Sequence, residues 1–143
     1  MRTSPTNIGL WMLSELAATD FGYVTVDQVV ETLGRCMDTI AGLERHEGHL
    51  LNWYDVQTLR PLEPRYVSTV DSGNLLGALW SLEHGLEDLI QRPVLARSMF
   101  EGLRDTRDVL KEAAEKEGVA GSDVEALEEL TLASRRPAED VIA

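Results

Sequence analysis

The residues best equipped for chemistry lie between His46 and Leu79, in the stretch HEGHLLNWYDVQTLRPLEPRYVSTVDSGNLLGAL. Within it, Asn52-Trp53-Tyr54-Asp55 sets two aromatic rings beside an amide and a carboxylate. Trp and Tyr each join a flat apolar face to a polar edge. That combination suits a sugar ring, which has an apolar C–H face and a rim of hydroxyls. The same aromatic pair would also serve to pin the loop onto neighbouring helices. Further on, Val67–Asn74 (VSTVDSGN) offers hydroxyls, the Asp71 carboxylate and the Asn74 amide. Ser68 or Thr69 is suited to cap a helix, with Asp71 at the positive end of its dipole. The functional alternative puts Asp71 at the mouth of a pocket, bonded to a ligand hydroxyl.

The separated carboxylates of the stretch are Asp55, Glu63 and Asp71. Glycoside hydrolysis uses two carboxyl groups about 5 to 9.5 Å apart, a distance that sequence does not supply. Asp55 and Asp71 are the catalytic candidates. His46, His49 and His84 do not have the spacing of a zinc set. The chain has no phosphate-cradling glycine loop, no nucleophile elbow and no Cys–His arrangement. Its single cysteine, Cys36, gives no disulfide framework and reads as a small apolar group in a helix. No metal or cofactor is expected.

Formal net charge is −12 over 143 residues. Residues 1–80 carry 5 Arg or Lys against 10 Asp or Glu, and residues 81–143 carry 8 against 15. Neither half is basic, which argues against nucleic acid and against a polybasic membrane patch. The start, MRTSPTNIGL, lacks the pattern of a signal peptide. No apolar run reaches the ~18 residues of a membrane-spanning helix. A cytoplasmic segment without membrane contact is expected.

The elements that position these residues read as helices. Ser4-Pro5 offers a cap and a first-turn proline, and Gly22 a stop, for a helix over 5–20. Thr25 with Gln28 opens a second, with apolar residues at helical spacing from Val26 to about Arg45. Pro61 and Pro64 forbid a regular helix over 46–69, where His49–Val56 and Arg65–Val67 read as short strands or extended segments. A turn is expected near Gln57-Thr58. A third helix starts between Ser68 and Asp71, and its glycines, Gly73, Gly77 and Gly85, suggest close helix–helix approach. A fourth is expected over about 94–117, ending at Gly118, and a shorter one over 123–134 before a frayed tail. The fold class is all-α, with one long polar-aromatic loop. A loop of that length in a compact domain is usually functional or disordered, and its aromatics argue against disorder.

The runs TSPTNIGL (Thr3–Leu10), LERHEGH (Leu43–His49), NWYD (Asn52–Asp55) and LEPRYVSTVDSGNL (Leu62–Leu75) resemble, in the same order, the bacterial cyclic β-(1→2)-glucan synthases. The likeness lies at the start of their central glycoamylase-like region. It covers about residues 2–85, so residues 1–90 are taken as part of that domain and 91–143 as an acidic helical continuation. The resemblance implies large inner-membrane enzymes in which a glycosyltransferase region builds the linear glucan from UDP-glucose. The central region closes the ring by transglycosylation, and a phosphorylase-like region trims chain length. It also implies an α/α toroid of paired antiparallel helices, of which this chain would be a part.

By the resemblance, Trp53 and Tyr54 stack on β-(1→2)-glucan, while Asn52, Asp55, Asp71 and Asn74 bond its hydroxyls. Thr6 and Asn7, at the start of the first helix, would reach the same cleft. Tyr66 and His49 are further candidates. Three departures matter. The chain has fewer helices than a closed toroid needs, so its partner would be the missing half or a second copy. The family's catalytic carboxylates are expected further downstream, so the chain is expected to be inactive alone. Leu50-Leu51 also replaces aromatics found in the family's loop. The alternative is a non-enzymatic acidic helical interaction module that reuses the scaffold. A self-sufficient glycosidase using Asp55 and Asp71 is a third reading.

Overall fold

A computed structural model describes residues 1–93 and 96–118. The chain is mostly helical. Its elements run β1 (Arg2–Thr3), α1 (Pro5–Asp20), α2 (Val26–Gly42), β2 (Arg45–His46), β3 (His49–Leu50), β4 (Tyr54–Asp55), α3 (Thr69–Gln91) and α4 (Arg97–Glu117). The expected helix over 123–134 and the tail lie outside the described residues. Among the described residues, no helix is long and apolar enough to cross a membrane.

Two compact units are present. The first joins Met1–Ala17 to Val26–Arg92. Its core holds Met12 of α1, Val29 and Leu33 of α2, Leu50, Leu51 and Tyr54 of the loop, and Ala78 and Leu82 of α3. The Leu pair is thus core and adds nothing to a stacking surface. α1 starts as its sequence dictates. The Ser4 hydroxyl accepts the Asn7 N–H at 3.2 Å, and Pro5 occupies the first helical position.

α1 and α3 meet at glycines. A methyl placed on Gly9 would lie 2.7 Å from the Ala78 Cβ, and one on Gly85 would overlap the Leu16 side chain. Close approach therefore explains Gly85 and also Gly9. It does not explain Gly73 or Gly77, where an added methyl meets nothing within 4 Å.

α2 and α4 are strongly one-sided, whereas α1 has no dominant apolar face, since Thr6, Asn7, Ser14 and Glu15 are spread among its apolar residues. It nonetheless places Met12 fully in the core. Even so, Leu10 and Trp11 of α1 are 60% and 40% exposed, and Leu76 and Trp80 of α3 are also uncovered.

α2 ends at Gly42, short of the expected Arg45. Arg45 turns back instead, its guanidinium donating to the Ile40 carbonyl at 3.0 Å and the Gly48 carbonyl at 3.2 Å. The chain then forms a hairpin, pairing Arg45 with Leu50 and His46 with His49. Its Glu47-Gly48 turn has φ of 49° and 86°, as a two-residue turn matched to strand twist requires.

β1 pairs antiparallel with β4, Arg2 opposite Asp55 and Thr3 opposite Tyr54. Arg65–Val67 belongs to no strand, although the Tyr66 carbonyl accepts the Asn52 N–H.

The second unit takes Ala18–Thr25 and the chain from Pro93 onward. Gly22, at φ 76°, donates to the Thr19 carbonyl, and Tyr23 donates to that of Ala18. This is the bonding of a left-handed helix stop. Gly102 of α4 lies against that turn, where a methyl would sit 2.5 Å from Gly22 backbone atoms. The Tyr23 hydroxyl donates to Asp105 at 3.1 Å. α4 ends at Gly118, left-handed at φ 68°.

Candidate functional site

Two distant stretches meet at the amino ends of α1 and α3. The Thr6 hydroxyl donates to the Asp71 carboxylate at 2.5 Å, and the Asn74 amide donates to the Thr6 oxygen at 3.1 Å. Ser68 caps α3 by accepting the Asp71 N–H at 3.1 Å. The Thr6 hydroxyl is the main cause that holds the Asp71 carboxyl below the usual carboxylate range, and burial opposes it in part. Bonds from Ser68, the Thr6 backbone and Ser4 act in the same direction as Thr6. Both helix dipoles present their positive ends to this carboxylate. Thr6, Asp71 and Asn74, all expected from sequence, are brought together.

The sign of the pH dependence follows. Asp71 has a folded pKa below its ordinary value of about 3.9. Its stabilisation is complete above that value and is lost as pH falls through the folded one. Urea unfolding midpoints should therefore stay flat from about pH 5 to 8 and drop below about pH 4. Asp71→Asn should lower the midpoint at neutral pH and flatten the acid limb.

The loop residues fare differently. Tyr54 is fully buried. Its hydroxyl accepts the Leu51 N–H at 2.8 Å and donates to the Glu44 carbonyl at 2.7 Å. The expectation that it stacks on sugar is corrected: a ring with no exposed face presents none to a ligand. Asn52 is 2% exposed and its N–H bonds the Tyr66 carbonyl at 2.9 Å, so it does not stand on the rim of a cleft either. Its side-chain oxygen is buried without a protein hydrogen bond.

Asp55 builds a turn. One carboxylate oxygen accepts the backbone N–H groups of Thr58 (2.9 Å) and Gln57 (3.0 Å) and the Thr58 hydroxyl (3.1 Å). The two backbone bonds are the main cause that holds its carboxyl low. This fixes the turn expected near Gln57-Thr58.

Trp53 is half-buried, with the Arg2 guanidinium carbon over its ring, 4.1 Å from the centroid. Tyr66 and His49 are exposed. Asn7 parts company with Thr6: it lines a groove on α1 and α2. The β1–β4 pairing sets Trp53 and its loop beside the start of α1. Arg2 and Gly9 are the positions that sequence reasoning missed. The only signal for either was adjacency to, or place within, TSPTNIGL. Among the described residues, no cluster of His, Cys, Asp and Glu has the form of a metal site.

Fold and site together define a mostly helical chain whose polar residues gather at one pair of helix starts and the loop beside them. No profile of a known protein family matches it. Sequence comparison finds similarity to the cyclic β-(1,2)-glucan synthase NdvB of Rhizobium meliloti (strain 1021), at 40% identity over 113 residues. That is 78% of this chain and 4% of the relative. The chain belongs to the cyclic β-(1,2)-glucan synthase family, and it spans only a small part of the length of the relative it matches.

Proposed function

We propose that this chain forms part of the glucan-binding cleft in the cyclising, glycoamylase-like region of a cyclic β-(1→2)-glucan synthase. The observation that carries the reading is the Thr6–Asp71–Asn74 set, which ties two motifs 65 and 68 residues apart at adjoining helix starts. The indole of Trp53 lies on the neighbouring loop. In this reading Trp53, Asn74 and Tyr66 meet the glucan. Thr6 and Asp71 hold the helix starts in register, and Tyr54 and Asp55 build the loop that carries Trp53.

In this reading the chain is part of a toroid whose further helices lie elsewhere in the enzyme. Uncovered Leu10, Leu76 and Trp80, with Gly73 and Gly77 open beside them on α3, fit a surface met by further helices of the enzyme. The interaction-module reading draws on these same uncovered residues. It differs in predicting no affinity for glucan.

Asp55 and Asp71 are both held low by donors, whereas a general acid needs a raised pKa to carry its proton. Neither is suited to that role. The test is binding of β-(1→2)-gluco-oligosaccharides to the purified chain, with loss of affinity in Trp53→Ala.

A further inference from the structure

We propose that Arg2 is a positioning residue for the Trp53 platform. Its guanidinium backs one face of the indole and holds the opposite face for the sugar. The inference rests on the glucan reading above and adds to it a residue that reading does not use. The backbone around Trp53 is fixed on both edges. On one side, the Trp53 carbonyl accepts the Leu62 N–H and the Asp55 N–H donates to the Arg60 carbonyl, each at 2.9 Å. On the other, Thr3 lies opposite Tyr54 and Arg2 opposite Asp55. Tyr54 is fully buried, so β1 is registered against the core. What this frame leaves open is rotation of the indole about its two side-chain torsions.

Arg2 restricts that rotation. Its guanidinium carbon lies 4.1 Å from the centroid of the ring, well inside the roughly 6 Å over which a cation is drawn to an aromatic face. No ion pair competes for its charge. Arg35 pairs with Glu31, Arg65 with Glu44 and Glu63, and Arg97 with Glu101. Among the described residues, no carboxylate pairs with Arg2. Asp55, its neighbour across the pairing, has an oxygen committed to Gln57 and Thr58. The guanidinium is therefore left to the ring. A sugar laid on the indole by its C–H face uses the face that Arg2 does not occupy. A side chain already held in place need not be ordered when the ligand arrives, which favours binding.

The test uses a chain whose single indole is Trp53. Trp11 and Trp80 are 40% and 62% exposed, so Trp11→Phe with Trp80→Phe removes the other two at the surface. In that parent, Arg2→Met keeps a long side chain and removes its charge. Acrylamide quenching of Trp53 should rise. Affinity for a β-(1→2)-gluco-oligosaccharide should fall about two- to fivefold, the scale of one exposed cation–ring contact. Arg2→Lys restores a cation and should return both readouts toward the parent, whereas a purely steric role would not tell Lys from Met. Unchanged quenching in Arg2→Met overturns the contact. Raised quenching with equal or tighter binding overturns the positioning role while leaving the glucan reading intact. Failure of the folded parent to bind the sugar overturns the glucan reading and this inference with it.

Discussion

Replacing Tyr54 by alanine should cost about 3–5 kcal/mol of unfolding free energy, the range for removing a large buried aromatic. Tyr54 has no exposed surface, and its loss would open a cavity beneath the NWYD turn. Tyr54→Phe separates the two roles of the side chain. The ring packing is kept, but the buried Leu51 N–H and the Glu44 carbonyl lose their partner. An orphaned buried donor costs about 1–3 kcal/mol, so Phe should lie between wild type and Ala. Urea unfolding followed by circular dichroism gives all three values. A Phe variant as stable as wild type would show that the hydroxyl contributes nothing and that the loop is pinned by packing alone.

The second large effect should come from Gly9, where two forces oppose. Ala is the better helix former by about 1 kcal/mol. The new methyl would lie 2.7 Å from the Ala78 Cβ, which is no flexible chain end. Overpacking of that kind costs about 1–3 kcal/mol. Packing should win, and Gly9→Ala should destabilise the chain. Ala78→Gly in the same molecule should recover part of the loss, since it removes the opposing methyl. Gly77→Ala is the internal contrast. Nothing lies within 4 Å of its added methyl, so propensity acts alone and the variant should gain up to about 1 kcal/mol. If Gly9→Ala and Gly77→Ala both stabilised the chain, α1 and α3 would not approach as closely as described, and the Thr6–Asp71 bond would lose its geometric basis.

Much of this arrangement was legible because it is local. Ser4-Pro5 and Gly22 mark the ends of α1 by cap chemistry and by backbone conformation. Ser68 marks the start of α3 in the same way. Pro61 and Pro64 announced that 46–69 is no helix. The meeting of Thr6 with Asp71 was legible only through the resemblance, since nothing local joins residues 65 apart.

What stayed hidden depends on neighbours in space. Arg45 carries on the helical pattern of α2 but folds back to cap it. Glu47-Gly48 forms the hairpin turn without the Asn-Gly or Asp-Gly that would have announced it. NWYD offered two aromatics, and composition could not tell which ring faces outward. The packing does: Trp53 is half-exposed and Tyr54 is core. Asp55 reads equally as a ligand and as a turn-former until its donors are seen.

In the proposed reading these gathered residues bind glucan. Its most direct test is a titration of the purified, folded chain with β-(1→2)-gluco-oligosaccharides, followed by indole fluorescence beside Trp53→Ala. Glucan binding at this site gives a saturable change in the wild type and a markedly weaker affinity in Trp53→Ala, with the fold of both intact by circular dichroism. A flat response from folded wild-type chain at millimolar sugar would contradict it and leave the helical interaction module as the reading that stands.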